Sequence, residues 1–276
     1  ERVQDGSPLN QKAAWTHKLI VPHAVALEAA RAFIEELSGK LDAGQPDLQC
    51  DGAVAKLVAT EAGNAAAESA IQAHGGYGYT QEYFVEKIKR DVRITCIYEG
   101  TSEILERTIA RDRWRLHLMS RGKHFLDMAA DLQALEDQQP DCGANMAAAA
   151  CTALAHILET CRLHKLTRNQ HVLFSLGSLI ARCEVACAFA RKAARGDADT
   201  SRLPADSLRV MSRLWARQVA SSVSQEGLSL ILGADALDED ALCSLEQRMD
   251  LGRIRQGLGG RLADMAFVAQ ALTTDN

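Results

Sequence analysis

With 276 residues, 47% hydrophobic and 24% charged, the chain is long enough to bury the core of one large domain or two modest ones. Its formal charge of −5 gives no electrostatic pull towards nucleic acid or anionic lipid, so a nucleic-acid-binding role is excluded as an expectation. The eight cysteines follow neither a disulfide framework nor a zinc-ribbon spacing, and they are expected as reduced core thiols.

Lys12 to Leu41 carries apolar residues at Leu27, Ala30, Ile34 and Leu37, the three-and-four spacing that predicts one long helix. Gly44 and Pro46 mark a loop over 42–51. The Ala-rich stretch from Val54 to His74 predicts a second helix, stopped by Gly75 and Gly76. Gln81 to Arg93 predicts a shorter helix, followed by an apolar connector from Ile94 to Tyr98. A further helix is expected from about Thr101 to Met119. Glu99 then falls at a loop-to-helix junction, where a side chain can be aimed into a cleft and the helix start offers unpaired amides.

Beyond residue 120 the pattern stays helical, with loops expected around Gln138 to Gly143 and Gly196 to Pro204. One apolar stripe runs through Val172, Leu176, Leu179, Cys183 and Cys187, and another through Leu208, Met211, Trp215 and Val219. No strand-like alternation of useful length occurs. The segment through Asp112 holds 12 basic and 17 acidic residues, against 19 of each afterwards, which supports a domain break between residues 113 and 142. The longest Ala-rich apolar run, Ala144 to Leu158, is too short and weakly hydrophobic to span a bilayer. There is no signal-peptide pattern. A cytoplasmic protein is expected, or one of the mitochondrial matrix in a eukaryote. The first residues, ERVQDGSPL, suggest the C-terminal part of a longer protein.

The stretch from Gln72 to Glu103 reads QAHGGYGYTQEYFVEKIKRDVRITCIYEGTSE. It closely resembles the flavin-and-base segment of acyl-CoA dehydrogenases, and the resemblance runs from Arg2 to about Arg111. At its opening, Arg2, Gly6, Pro8 and Leu9 keep the family frame, while Asp5 stands in place of a Phe and Ala13 in place of a Gln. The fold it implies is all-α. Residues 1–120 would form the four-helix bundle of the family's C-terminal domain, and residues 121–276 a further helical domain like that of very-long-chain relatives, serving coverage of the subunit or dimer contact.

The resemblance also implies roles. Glu99 is the base that takes the α-proton of an acyl thioester while flavin takes the β-hydride. Its own backbone amide and a ribityl hydroxyl hold the thioester carbonyl. Arg2, Gln72, Gly75 and Gly76 bind FAD, the last three at its adenine and pyrophosphate end on a dimer mate. Thr101 and Glu103 contact flavin, with Glu103 standing where a Gln is frequent. Tyr98 and Gly100 lie on the acyl-CoA side. The pattern Glu82, Tyr83, Val85, Glu86, Arg90, Asp91 is framework. Electron transfer flavoprotein is the implied acceptor, and a homodimer or homotetramer the implied assembly.

The chemistry of the residues agrees with this. Removing a weakly acidic α-proton needs a desolvated carboxylate of raised pKa and donors for the developing enolate. Glycines let amides approach a pyrophosphate. From the short motifs alone, Gly75–Gly76 could merely end a helix, and Glu99 could be a capping or solvated residue. An acyl-CoA oxidase and a catalytically silent helical assembly domain are the alternative functions. Lacking the parts that hold the flavin ring and acyl chain, the chain alone is expected neither to hold FAD tightly nor to turn over.

The remaining candidates are weaker. Cys161, His164, Cys183 and Cys187 read better as core thiols and a stray histidine than as a metal site, and no metal is expected. His74 could approach a phosphate or simply end its helix. The GLGG at 257–260 lacks the preceding strand of a dinucleotide loop. Arg209, Arg213 and Arg217, at four-residue spacing, would serve a membrane-surface role if they formed an open basic face.

Overall fold

A computed structural model of the chain describes residues 3–196 and 203–273; Arg2 lies outside the described residues. Val3–Gln4 (β1) and Ser7–Pro8 (β2) pair antiparallel with Val3 opposite Pro8. Asp5 and Gly6 form the two-residue turn between them, both at positive φ (49° and 77°), which is the backbone an Asp-Gly hairpin requires. Every longer element is a helix.

The expected helix over 12–41 is two helices, α1 (Ala13–Leu19) and α2 (Val21–Asp42). Pro22 is the reason. It lacks an amide hydrogen and its ring clashes with the carbonyl four residues back, so the chain restarts at Ile20, with Pro22 in the first turn of α2, where a missing donor costs nothing. Next come α3 (Gln49–His74), the single turn α4 (Gly76–Tyr79) and α5 (Phe84–Arg93). A 3-10 turn over Ile94–Cys96 leads to α6 (Ser102–Met119). The second region contains α7 (His124–Gln138), α8 (Ala144–Leu163), α9 (Gln170–Arg195), α10 (Ala205–Leu232), α11 (Glu239–Arg248), α12 (Leu251–Gly257) and α13 (Arg261–Thr273). The loop expected over Gln138 to Gly143 falls at the α7–α8 junction; of the one expected over Gly196 to Pro204, residues 197–202 lie outside the described residues.

α9 sits at the centre, packed on α2, α6, α8 and α10, and buried side chains from Val21 to Ala269 join in one cluster. The all-α fold class holds. Residue 120 lies in the turn between α6 and α7, and that cluster draws side chains from both sides of it. α9 is long and apolar enough to cross a membrane, but 72% of its most apolar window is buried inside the molecule. Its apolar side chains are core. Small residues set the closest approach: at Gly177 of α9 an added Cβ would overlap the backbone of Glu106 on α6.

A buried ionic network ties α2, α3, α6 and α9 together. The Arg113 guanidinium donates to both oxygens of Glu184 (2.5 and 3.0 Å) and to Asp51 (3.2 Å). Lys40 bridges Asp51 (3.0 Å) and Glu36 (3.4 Å), and Arg191 pairs with Glu36 through two bonds (2.8 and 2.9 Å). Burial alone would raise Asp51 and Glu36, but the cations outweigh it and hold both carboxyls below the usual range.

Candidate active site and cofactor cleft

The last turn of α3 presents Gln72, and Gly75 ends the helix at φ 62°, ψ −140°, a conformation that essentially only glycine adopts. α4 then folds back on α3. It comes so close that a Cβ at Gly78 would overlap the Ile71 carbonyl. Beyond this corner Tyr77 stacks on Tyr83 with ring centroids 5.1 Å apart. The result is a cleft of 1070 Å3 lined by Gln72, Gly75, Gly76, Trp15, Tyr77 and Tyr83, with Gln4 and Leu9 at one end. Three of the expected cofactor residues are therefore brought together. His74 also lines this cleft, its Nδ1 engaged by the Ala70 carbonyl at 2.8 Å, so that Nδ1 carries the proton.

Glu99 stands elsewhere, on the turn between the 3-10 segment and α6, and it is not among the residues lining that cleft. Glu99 and Gly100 both have positive φ (52° and 97°). For a glutamate this left-handed backbone costs roughly 1–2 kcal/mol, so the turn persists only because its surroundings fix it. Below it, Asn64 donates to the Val92 carbonyl (3.2 Å) and to the buried Cys96 sulfur (3.0 Å), and Lys89 donates to the Asn64 side-chain oxygen (3.0 Å). Lys56 donates to the Gly100 carbonyl at 2.6 Å.

The helix cap is Thr101, whose hydroxyl accepts from the Ile104 amide at 3.4 Å, and Ser102 donates to the Glu61 carboxylate. Glu99 is therefore not the capping residue. Its side chain is exposed, as is that of Tyr98. Glu103, in the first turn of α6, is also exposed; its own backbone amide and the Thr101 hydroxyl hold its carboxyl below the usual range.

Several residues here were missed from sequence. Glu106, half-buried one turn further along α6, is pushed up to about 7 by burial and by Glu103 and Glu61, with Arg182 opposing. Lys56, Glu61 and Asn64 of α3 anchor the Glu99 turn across long stretches of chain. A signal existed: polar residues at 56, 60 and 64 recur at four-residue spacing within an otherwise Ala-rich helix.

Among the described residues no group of three or more His, Cys, Asp or Glu side chains could hold a metal. Cys161, Cys183 and Cys187 are buried while His164 is exposed, so these four do not converge. The arginine row of α10 is not an open basic face. Arg213 pairs with Asp264 of α13 at 2.6 Å, Arg217 pairs with the same carboxylate and donates to the Gly257 carbonyl (2.7 Å), and Arg209 donates to Gln139 (3.3 Å). They staple α10 to its neighbours, which removes the one sequence feature that favoured a membrane surface.

A family model described as acyl-CoA dehydrogenase, C-terminal domain, matches residues 1–113. An acryloyl-CoA reductase (NADH) of Anaerotignum propionicum is 42% identical over 114 residues, 41% of this chain and 28% of that protein. A short-chain-specific acyl-CoA dehydrogenase of Megasphaera elsdenii is 39% identical over 104 residues, 38% of this chain and 27% of that protein. The chain thus spans under a third of the length of these curated relatives. In fold it is similar to an acyl-CoA dehydrogenase from Bacillus anthracis solved with FAD, with a TM-score of 0.73 over 97% of this chain and 50% of that one, at 16% identity. It is similar also to an acyl-CoA oxidase-1 of Caenorhabditis elegans solved with FAD and ATP, with a TM-score of 0.58 over 98% of this chain and 44% of that one, at 16% identity. The shared fold continues through α7 to α13, past the point where the family model stops. Residues 1–113 are thus similar in sequence to the helical C-terminal domain of acyl-CoA dehydrogenases, and the whole chain shares the fold of the solved structures.

Proposed function

We propose that this chain supplies the C-terminal helical part of an FAD-dependent acyl-CoA dehydrogenase, with Glu99 as the base in α,β-desaturation of an acyl-CoA thioester. The observation that carries the reading is the Glu99–Gly100 turn, a left-handed pair clamped by Lys56 on one side and capped by Thr101 on the other. Such a turn presents an exposed carboxylate at a helix start in a fixed position. An assembly domain has no need of that. FAD, when bound, would supply the hydride acceptor for the β-carbon. With the acyl chain held by the rest of the enzyme, Glu99 would take the α-hydrogen and the Glu99 amide would donate to the thioester carbonyl oxygen on which enolate charge develops.

The glycine-ended α3 fits the other end of the same cofactor. Gly76 has open space where a Cβ would stand, and the Tyr77–Tyr83 stack gives the cleft an aromatic edge. Because the cleft and Glu99 do not share a pocket, each would complete a site with another part of the enzyme or with a second copy, which supports a homodimer or homotetramer. The flavin ring and acyl chain would be held by parts outside this chain, so the chain alone is expected neither to retain FAD nor to desaturate. Flavin absorbance co-purifying at one per chain would overturn that. The division into residues 1–120 and 121–276 belongs to the same proposal, with the second part covering another part of the subunit or building the dimer contact.

Electron transfer flavoprotein as acceptor is supported by a relative named caffeyl-CoA reductase-Etf complex subunit CarC of Acetobacterium woodii, 37% identical over 92 residues. A second reading runs the same chemistry backwards. The acryloyl-CoA reductase among the relatives favours it, with Glu99 then returning a proton to the α-carbon. The deciding experiment is Glu99→Gln in the full-length parent. Turnover in both directions is expected to fall about 10²–10⁴-fold with flavin retained; unchanged turnover would leave only an assembly role.

A further inference from the structure

We propose that the outer face of α5 is a docking surface for a second copy of this chain, the two α5 helices meeting antiparallel about a two-fold axis. α5 lies on α3 through Val85, which is buried, and Lys89 reaches back to Glu68 (3.1 Å) and to the Asn64 side-chain oxygen (3.0 Å). On one flank Arg90 is committed to Glu86 through two bonds (2.9 and 3.2 Å). The face turned away from α3 has no such cover. Phe84, Ile88 and Ile94 stand there 75%, 50% and 53% exposed, with Lys87 and Asp91 exposed between them. Ile94 shares the face because its backbone (φ −62°, ψ −26°) carries the helical twist one residue past Arg93. Large apolar side chains gathered on one exposed helix face mark an interaction site.

The order of charges on this face says which partner fits. Along the helix, Phe84, Lys87, Asp91 and Ile94 run apolar, positive, negative, apolar, and the inner and outer pairs are both centred on the level of Lys89. A second copy laid antiparallel about that level sets Phe84 of each copy against Ile94 of the other, and Lys87 of each against Asp91 of the other, as a two-fold axis requires. Ile88 falls beside the axis, about 3 Å along the helix from its own image. A parallel pairing would set like charge on like. Among the described residues neither Lys87 nor Asp91 has an opposite charge within ion-pair distance, and Lys87 lies instead over the Phe84 ring, 5.6 Å from its centroid. Both charges are thus available to a partner. A lipid surface is disfavoured because it would meet the Asp91 carboxylate in the middle of the apolar stripe. The pairing rests on the homodimer reading above and gives it a surface. Neither Glu99 nor the glycine-ended cleft takes part in it, so its failure leaves the catalytic reading as it was.

Sedimentation velocity of the full chain over a range of concentrations tests this, because a contact of one short helix per copy gives a weak, concentration-dependent dimer. A reversible monomer–dimer equilibrium is expected. Lys87→Asp sets acidic residues against each other across the axis, and Asp91→Lys sets basic ones. Each variant alone is expected to raise the dimer Kd about tenfold or more. An equimolar mixture of the two variants is expected to restore association as a heterodimer, since every acidic residue on the face then meets a basic one, and that recovery also shows that both variants fold. A chain that stays monomeric at every concentration overturns the proposal, and its co-sedimentation with phosphatidylserine vesicles would assign the face to lipid. A dimer that both variants leave intact, or a mixture that does not associate, overturns antiparallel α5 as the contact.

Discussion

The Lys56 ammonium donates to the carbonyl oxygen of Gly100 at 2.6 Å, joining α3 to the start of α6 across 44 residues of sequence. This bond closes the turn in which Glu99 and Gly100 take their left-handed backbone. Lys56→Met keeps the aliphatic stem and removes the donor. The charged hydrogen bond and the stranded carbonyl together predict a loss of about 1.5–3 kcal/mol, read as a lower urea midpoint. In the full-length parent the same variant should lower kcat more than it weakens flavin retention. An unchanged midpoint with unchanged kcat would mean that the turn holds its shape without Lys56.

Glu106 makes stability depend on pH in the direction opposite to the paired carboxylates. Burial and the neighbouring Glu103 and Glu61 push it up to about 7, so the folded protein holds a proton there that the unfolded chain releases near pH 4.5. Between those values the native state binds more protons, and the Glu106 contribution to stability falls as pH rises. Glu106→Gln removes that penalty. It should stabilise the chain by about 1–2 kcal/mol at pH 8, allowing for partial solvent screening, and change little at pH 4. Urea unfolding at the two pH values checks it; equal effects at both would show that Glu106 ionises freely in the fold.

Helix ends marked by backbone chemistry were legible in the sequence: Gly75 stops α3, Gly143 precedes α8 and Pro204 precedes α10. The position of Glu99 before a helix start was legible for the same reason. The apolar period does not mark the break at Pro22, because Leu27, Ala30, Ile34 and Leu37, which define that period, all lie on its C-terminal side. The arginine row of α10 failed differently. Spacing locates a face of a helix but not what covers it, and Asp264 lies 47 and 51 residues from the two arginines it binds. Lys56 and Gly100 were invisible as a pair on the same grounds. Their types carry no mark of a partner so far along the chain.

Gly177 of α9 makes a strict steric prediction. A Cβ there would overlap the carbonyl and Cα of Glu106, which are backbone atoms of α6 and cannot rotate away. Gly177→Ala should therefore force the two helices apart, despite the better helix propensity of alanine. The expected cost is about 1–3 kcal/mol, as for an overpacked core. Gly63 on α3 has open space around its Cα, and Gly63→Ala serves as the control that should stabilise or leave stability unchanged. Thermal unfolding of the two variants separates sterics from propensity: if both shift Tm upward, α6 and α9 are not in backbone contact.

The Arg113 guanidinium, bonded to Glu184 and Asp51, is the centre of the ionic network between the first region and α9. Arg113→Met takes the bidentate partner from the buried Glu184 carboxylate and leaves Asp51 with Lys40 alone, which predicts a loss of about 3–5 kcal/mol at pH 7. The pH dependence follows from Asp51 and Glu36, whose carboxyls are held low. Their contribution is complete above the unfolded carboxylate range near pH 4–4.5 and is lost as pH falls through their folded values. The difference between the variant and the parent chain should therefore shrink below pH 4, where protonation relieves the stranded charge. The double variant Arg113→Met with Glu184→Leu tests whether the pair is needed for stability at all. Two apolar side chains of similar volume should recover most of the loss, because the desolvation of both charges is removed with their attraction. A double variant as unstable as the single one would show that Asp51, left facing Lys40 alone, carries the cost, and would move the centre of the network from α9 to α3.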